Sequence, residues 1–124
     1  MDKLTNITSY LNPPNPVYTD IPEREYNVAR ILEKYPDRIP VYVRIQGDMP
    51  PIDKHKYLVP KDLSVGQFIY VCRKRIKLTP EKGLFLFFGN ILPSTTSSMA
   101  KMHEQHKESG GLLVATISSE NTFG

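Results

Sequence analysis

Four groups of residues in this 124-residue chain have types and spacings that suit chemistry. They are the single cysteine, Cys72; the histidines His103 and His106; the basic run Arg73-Lys74-Arg75-Ile76-Lys77; and the stretch Lys54–Val59, where lysines mix with apolar and aromatic residues. A cysteine nucleophile needs exposure and a neighbouring base to hold it as thiolate. Cys72 falls on the apolar side of a helical pattern and reads as a small buried hydrophobe. His103 and His106 share one helix face, but no further Cys or His is placed to complete a metal site, so both read as surface histidines. No metal, no cofactor and no enzyme activity is expected. Residues 73–77 carry charge suited to anionic lipid, nucleic acid or tubulin. The simpler reading, adopted for Lys74 and Lys77, is that cations collect at the negative end of a helix. With few aromatics free to stack on bases, no nucleic-acid role is expected.

The fourth group carries the argument. Strand alternation sends Lys54, Lys56 and Leu58 to one side and His55, Tyr57 and Val59 to the other. Lysines commonly guard an exposed sheet edge against stray pairing, and Pro60 closes the strand because it cannot donate to a ladder. An edge with apolar residues on both faces can accept an added peptide strand, with side-chain pockets giving specificity.

The elements that must position this edge are legible in order. Thr19 or Asp20 is expected to cap a helix that tolerates Pro22 in its first turn and buries Val28, Ile31, Leu32 and Tyr35. Tyr35-Pro36 ends it. Ile39–Ile45 alternates as a strand, with Val41, Val43 and Ile45 opposite Tyr42 and Arg44; the loop Gln46–Pro51 leads to the Lys54–Val59 strand, giving a hairpin-like pair. Ser64 and Gln67 match a capping box, and Val65, Phe68, Ile69, Cys72 and Ile76 form the buried stripe of the helix that follows. Leu84–Phe88 reads as a strand covered on both faces, with Gly89-Asn90 turning the chain so that Ile91-Leu92 pairs back. A short helix containing Met99 and Met102 is capped within Ser94–Ser98 and ended by Gly110 or Gly111. Leu112–Ile117 is the last strand and residues 118–124 a polar tail.

Composition bounds the rest. A hydrophobic content of 40% and a net charge of +3 describe one globular, mildly basic domain. No window is apolar enough for a membrane span, and the polar start does not read as a signal peptide. A lone cysteine excludes an internal disulfide framework and suits a reducing, cytosolic setting. Pro13, Pro14 and Pro16 mark residues 1–18 as a flexible arm, leaving residues 19–124 as the domain. The sequence of elements points to an α+β fold with one mixed sheet.

Five blocks then carry a family resemblance: Glu33-Lys34-Tyr35-Pro36-Asp37-Arg38-Ile39-Pro40-Val41, Lys56-Tyr57-Leu58-Val59-Pro60, Val65-Gly66-Gln67-Phe68, Arg73-Lys74-Arg75-Ile76 and Thr122-Phe123-Gly124. Together they resemble the autophagy-related protein eight family of ubiquitin-like modifiers, which includes the GABA-receptor-associated protein and the microtubule-associated light chains. The match runs over about residues 20 to 124. It implies a ubiquitin-like β-grasp with a four-stranded mixed sheet and an added N-terminal helix or helices. Two departures stand out: the prolines Pro13, Pro14, Pro16 and Pro22 leave room for at most a short first helix, and Gly110-Gly111 replace residues that are often aromatic in relatives, making the hollow near Leu112 shallower or more open.

The resemblance also implies a function. Gly124 would be joined to phosphatidylethanolamine on autophagosomal membranes by the family's activating and conjugating enzymes. The chain would reach that form either by trimming with the family's cysteine protease or by being encoded so. Glycine suits this role because it lacks a Cβ to hinder attack at the carboxyl carbon. The same chain would capture cargo receptors and autophagy proteins through aromatic-x-x-aliphatic motifs. In an extended ligand residues i and i+3 point to opposite faces, which fits two pockets flanking the 54–59 strand. By resemblance Ile31, Pro40, Tyr42, Lys56, Leu58 and Leu112 line the aromatic pocket; Tyr57, Val59, Pro60, Leu63, Phe68 and Val71 line the aliphatic one. Arg38, Lys54, Lys56 and Arg75 would meet acidic residues beside the motif. Ile31, Val59, Leu63 and Phe68 are equally what an ordinary core requires. The unconjugated protein is expected to be a cytoplasmic monomer that moves to the autophagosome membrane on lipidation, with microtubules a further candidate partner. The alternative is a non-covalent trafficking or cytoskeletal adaptor that uses the same groove without lipidation. Alanine at both Tyr57 and Leu58 is expected to weaken motif binding and spare the fold.

Overall fold

A computed structural model describes residues 27–79 and 81–119; the arm, the proposed caps at Thr19 and Asp20, and Gly124 lie outside these. Within them three helices and four strands alternate in the order α1 (Val28–Lys34), β1 (Arg38–Gln46), β2 (Lys56–Pro60), α2 (Val65–Ile76), β3 (Phe85–Phe87), α3 (Met99–His106) and β4 (Leu113–Ser118). The strands form one sheet ordered β2-β1-β4-β3. β1 pairs antiparallel with β2 and parallel with β4, and β3 pairs antiparallel with β4. The expected mixed four-stranded sheet is therefore present, with β2 at one border.

The register shows which residues share a face. Val41 lies opposite Tyr57 and beside Leu113, and Val43 lies beside Ala115. These residues and Ile39, Val59 and Ile117 are all buried and face α2, whose Val65, Phe68, Val71, Cys72 and Ile76 complete the core. Tyr57 meets Phe68 edge to face, with ring centres 5.6 Å apart. On the other face lie Pro40, Tyr42, Lys56, Leu58 and Val114, with α1 packed against β1 through Ile31.

α2 starts where its backbone donors are met in full. Ser64 and Gln67 form the predicted capping box, at 3.1 and 2.9 Å. The N–H groups of Val65 and Gly66 donate to the carbonyls of Ser97 and Thr95. That close approach explains Gly66, since a methyl there would stand 3.2 Å from the Thr95 oxygen. The helix ends on Lys77 in the left-handed region, at φ 62°.

Five boundaries differ from expectation. The stripe Val28–Tyr35 belongs to a two-turn helix capped by Asn27, whose side chain accepts from Arg30 N–H. The β2 strand begins at Lys56 and includes Pro60 as its last residue. The apolar run at 84–88 is only a three-residue strand, because the chain turns back at once: Phe88 and Ile91 exchange both backbone hydrogen bonds across Gly89-Asn90. α3 stops at His106, with Lys107 extended; Gly110 and Gly111 lie beyond it in a separate turn, where Gly111 N–H donates to Glu108. The last strand starts at Leu113 rather than Leu112.

Candidate functional site

The β2 border is built by ladder phase. Val43 N–H donates to the His55 carbonyl at 2.7 Å, so 43–55 is a hydrogen-bonded pair and alternation makes 41–57 and 39–59 the next two. Residues 55, 57 and 59 thus spend their backbone groups on β1, and those of Leu58 point away from it. The same phase explains how Pro40 fits a central strand: it faces the β4 side, and the β1–β4 pairing starts only at Val41. His55 locks the start of the border. Its Nδ1–H donates to the Val43 carbonyl at 2.8 Å, and its ring stacks on Tyr42 with centres 5.6 Å apart.

On the outer face lie the residues proposed for the aromatic pocket. Leu58 lies opposite Pro40, and extending the β1–β4 register by one residue places Leu112 beside Pro40. One row therefore runs Leu58, Pro40, Leu112 and the next Lys56, Tyr42, Val114. Ile31, Pro40 and Leu58 are buried; Tyr42, Lys56 and Leu112 are half-buried and stand at the rim. Two neighbours escaped the sequence reading. Val114 shares the Tyr42 row, which strand parity from Leu112 would have revealed. Leu32 stands over Gly111, where a methyl would lie only 2.7 Å from its Cδ1; no sequence signal pointed to that contact.

On the inner face Tyr57, Val59, Leu63, Phe68 and Val71 are all buried; Pro60 is buried too, but strand parity sets it on the side of Leu58. The inner-face residues supply the floor of the aliphatic side and are equally part of the core. The 61–64 connection that walls it is pinned at both ends: Leu63 N–H donates to Pro60, and the Leu63 and Lys61 carbonyls accept from Met99 and Ala100. Since Tyr57 and Leu58 are both fully buried, alanine there is a stability change as well as a binding change, contrary to the expectation that the fold would be spared.

The cations divide by their partners. Arg38 and Lys54 are half-buried at opposite ends of the β1–β2 pair. Arg75 forms an ion pair with Asp53 at 3.4 Å. Arg73 instead reaches the carbonyls of Thr79 and Lys82, at 3.5 and 3.0 Å, and ties down the loop after α2. An open hollow of about 350 Å³ lies away from the border, between Asp48, Met49, Lys77, Leu78, Lys82 and Ser119.

Cys72 is fully buried and burial pushes its thiol far above the ordinary range. A thiol reagent should label the native protein no faster than the protein opens globally; rapid native labelling would contradict this placement. Among the described residues no group of three or more His, Cys, Asp or Glu is arranged to hold a metal. His103 donates from Nε2 to the Gly111 carbonyl at 2.6 Å and His106 stacks on Phe88. No described helix is long and apolar enough to cross a membrane.

A mixed sheet ordered β2-β1-β4-β3, clasping α2 and carrying an extra helix on its outer face, defines a ubiquitin-like β-grasp protein. A family profile described as "Autophagy protein Atg8 ubiquitin like" matches residues 23–124. The chain is 57% identical to Autophagy-related protein 8d of Arabidopsis thaliana over 104 residues, covering 82% of this chain and 87% of that protein. It is 53% identical to Autophagy-related protein 8 of Mycosarcoma maydis over 104 residues, covering 82% and 88%. A crystal structure of Trypanosoma brucei ATG8 superposes with a TM-score of 0.70 at 36% identity, covering 78% of this chain and 85% of that one. The chain belongs to the Atg8 family of ubiquitin-like autophagy proteins.

Proposed function

We propose that this chain is a lipid-conjugated modifier of autophagy that also captures short peptide motifs, and that it acts on no substrate itself. The observation that supports the reading best is the position of β2. It is the border strand of the sheet, with backbone groups of Leu58 turned outward and an apolar floor on each face. A peptide laid along it would gain main-chain hydrogen bonds, and its aromatic and aliphatic residues, three apart, would enter opposite sides. Lys54, Lys56, Arg38 and Arg75 supply positive charge for acidic residues beside the motif. Gly124 is the attachment point. Its carboxyl group would be activated with ATP and carried as an enzyme thioester; the amine of phosphatidylethanolamine then attacks the carbonyl, an amide forms and the thiol leaves. The buried, unreactive Cys72 supports a passive role in that chemistry. Partners are thus motif-bearing cargo receptors and autophagy proteins, the activating and conjugating enzymes and the processing protease, with the protein moving from the cytoplasm to the autophagosome membrane.

Incubation with the family's activating and conjugating enzymes, ATP and phosphatidylethanolamine liposomes should give a lipid adduct from the intact chain. Deleting Gly124 should abolish it. No adduct from the intact chain, together with normal motif binding and unchanged cellular behaviour after the deletion, would favour the non-covalent adaptor instead.

A further inference from the structure

We propose that Asp53 is a specificity-determining residue of the β2 border, holding Arg75 in an ion pair that an acidic ligand side chain must displace. The proposal rests on the peptide-binding reading above and adds a built-in competitor to it.

The pair sits at one end of the aliphatic side. On α2, Phe68, Val71 and Arg75 follow at helical spacing, so Arg75 continues the stripe that floors the cleft. Facing that stripe across the cleft are Val59 and Tyr57 of β2, and Asp53 stands in the bend three residues before the strand. The 3.4 Å contact between Arg75 Nη1 and Asp53 Oδ2 therefore ties α2 to the segment that leads into β2. The two partners are unequally placed. Arg75 is only 19% exposed and Asp53 is 60% exposed, so the guanidinium is held against the protein and the carboxylate is the removable part. An exposed carboxylate of this kind holds its partner weakly. A second carboxylate, brought by a peptide already aligned on β2, replaces the charge without leaving Arg75 alone. Arg73 cannot serve in this way because two backbone carbonyls already occupy it. A neutral ligand gains nothing from Arg75, whereas an acidic one gains only the difference between its own carboxylate and that of Asp53. Asp53 thus lowers the preference for acidic motifs.

The test measures binding of the full chain to two synthetic aromatic-x-x-aliphatic peptides. One carries glutamates before and between the motif residues, the other glutamines at the same places. Asp53→Asn should tighten the glutamate peptide about three- to fivefold, the scale of an exposed ion pair, and leave the glutamine peptide unchanged. In an Arg75→Gln background Asp53→Asn should have no effect on either, as a double-mutant cycle requires of a contact that acts through Arg75. An equal gain for both peptides, no gain, or a gain that survives Arg75→Gln would overturn the proposal. A wild-type chain that binds neither peptide would remove the groove reading itself. Wild-type binding with a flat Asp53 response would remove only the ion-pair role.

Discussion

Phe68→Ala should remove about 3–5 kcal/mol of folding stability, the range for deleting a buried aromatic ring. The side chain is fully buried in the first turn of α2 and edge-on to Tyr57, which is itself fully buried. The loss comes from the transferred ring, from the void left between α2 and the sheet, and from the lost aromatic contact. Domains of this size have about 5–15 kcal/mol in hand, so the variant should unfold at a much lower urea concentration with a similar slope. Phe68→Leu keeps most of the volume and should lose far less. Motif binding should weaken in the alanine variant even where it remains folded, since the aliphatic side loses its floor. A midpoint shift of under about 1 kcal/mol would mean that the ring is not the keystone its burial indicates.

The second large effect is expected at Gly111. Its φ of +99° lies where L-residues are strained, and a methyl there would meet Leu32 Cδ1 at 2.7 Å and Val28 Cγ1 at 3.5 Å. Gly110, one residue earlier, has nearly the same φ, +100°, but nothing within 4 Å of such a methyl. Gly110→Ala therefore reports backbone strain alone, about 1–3 kcal/mol. Gly111→Ala should cost more, by whatever is needed to turn the Leu32 side chain aside. Adding Leu32→Ala to Gly111→Ala should recover part of that excess, a non-additivity measurable by chemical denaturation. Equal costs at the two glycines would show that the Leu32 side chain yields freely. Gly111 also presents its carbonyl to His103 Nε2–H, so a shift there is passed to α3 as well as to the rim residue Leu112.

The contrast between these two sites shows what was legible in the sequence. Phe68 announced itself, because a capping box at Ser64 and Gln67 fixed the start of α2 and helical spacing fixed its buried side. The alternation of Val41 and Val43, and of Tyr57 and Val59, likewise set the faces of β1 and β2. What escaped was contact between segments distant in sequence. Nothing in residues 107–112 shows that Leu32 rests on Gly111, and the parallel pairing of β1 with β4 has no local signature. The family resemblance, not periodicity, supplied the sheet topology and gathered Ile31, Pro40, Leu58 and Leu112 in advance. Helix ends were misplaced where no glycine or proline marks them, as at Asn27 and His106. Asp53 was overlooked because a single carboxylate in a loop carries no pattern.

The parallel union of β1 with β4 has a consequence for how the chain comes to rest. β4 is the last strand in sequence yet occupies an interior place in the sheet, between β1 and β3. During synthesis, which proceeds from the N-terminus, α1, β1, β2 and α2 are all made while the slot for β4 stands empty. Until that slot fills, β1 shows bare amides and carbonyls on its inner flank and β3 has no neighbour. Joining residues 41–46 to 113–118 closes a loop of some seventy residues, an entropically slow step. Closure of the sheet thus waits until residues 113–118 have been made, after every other described element.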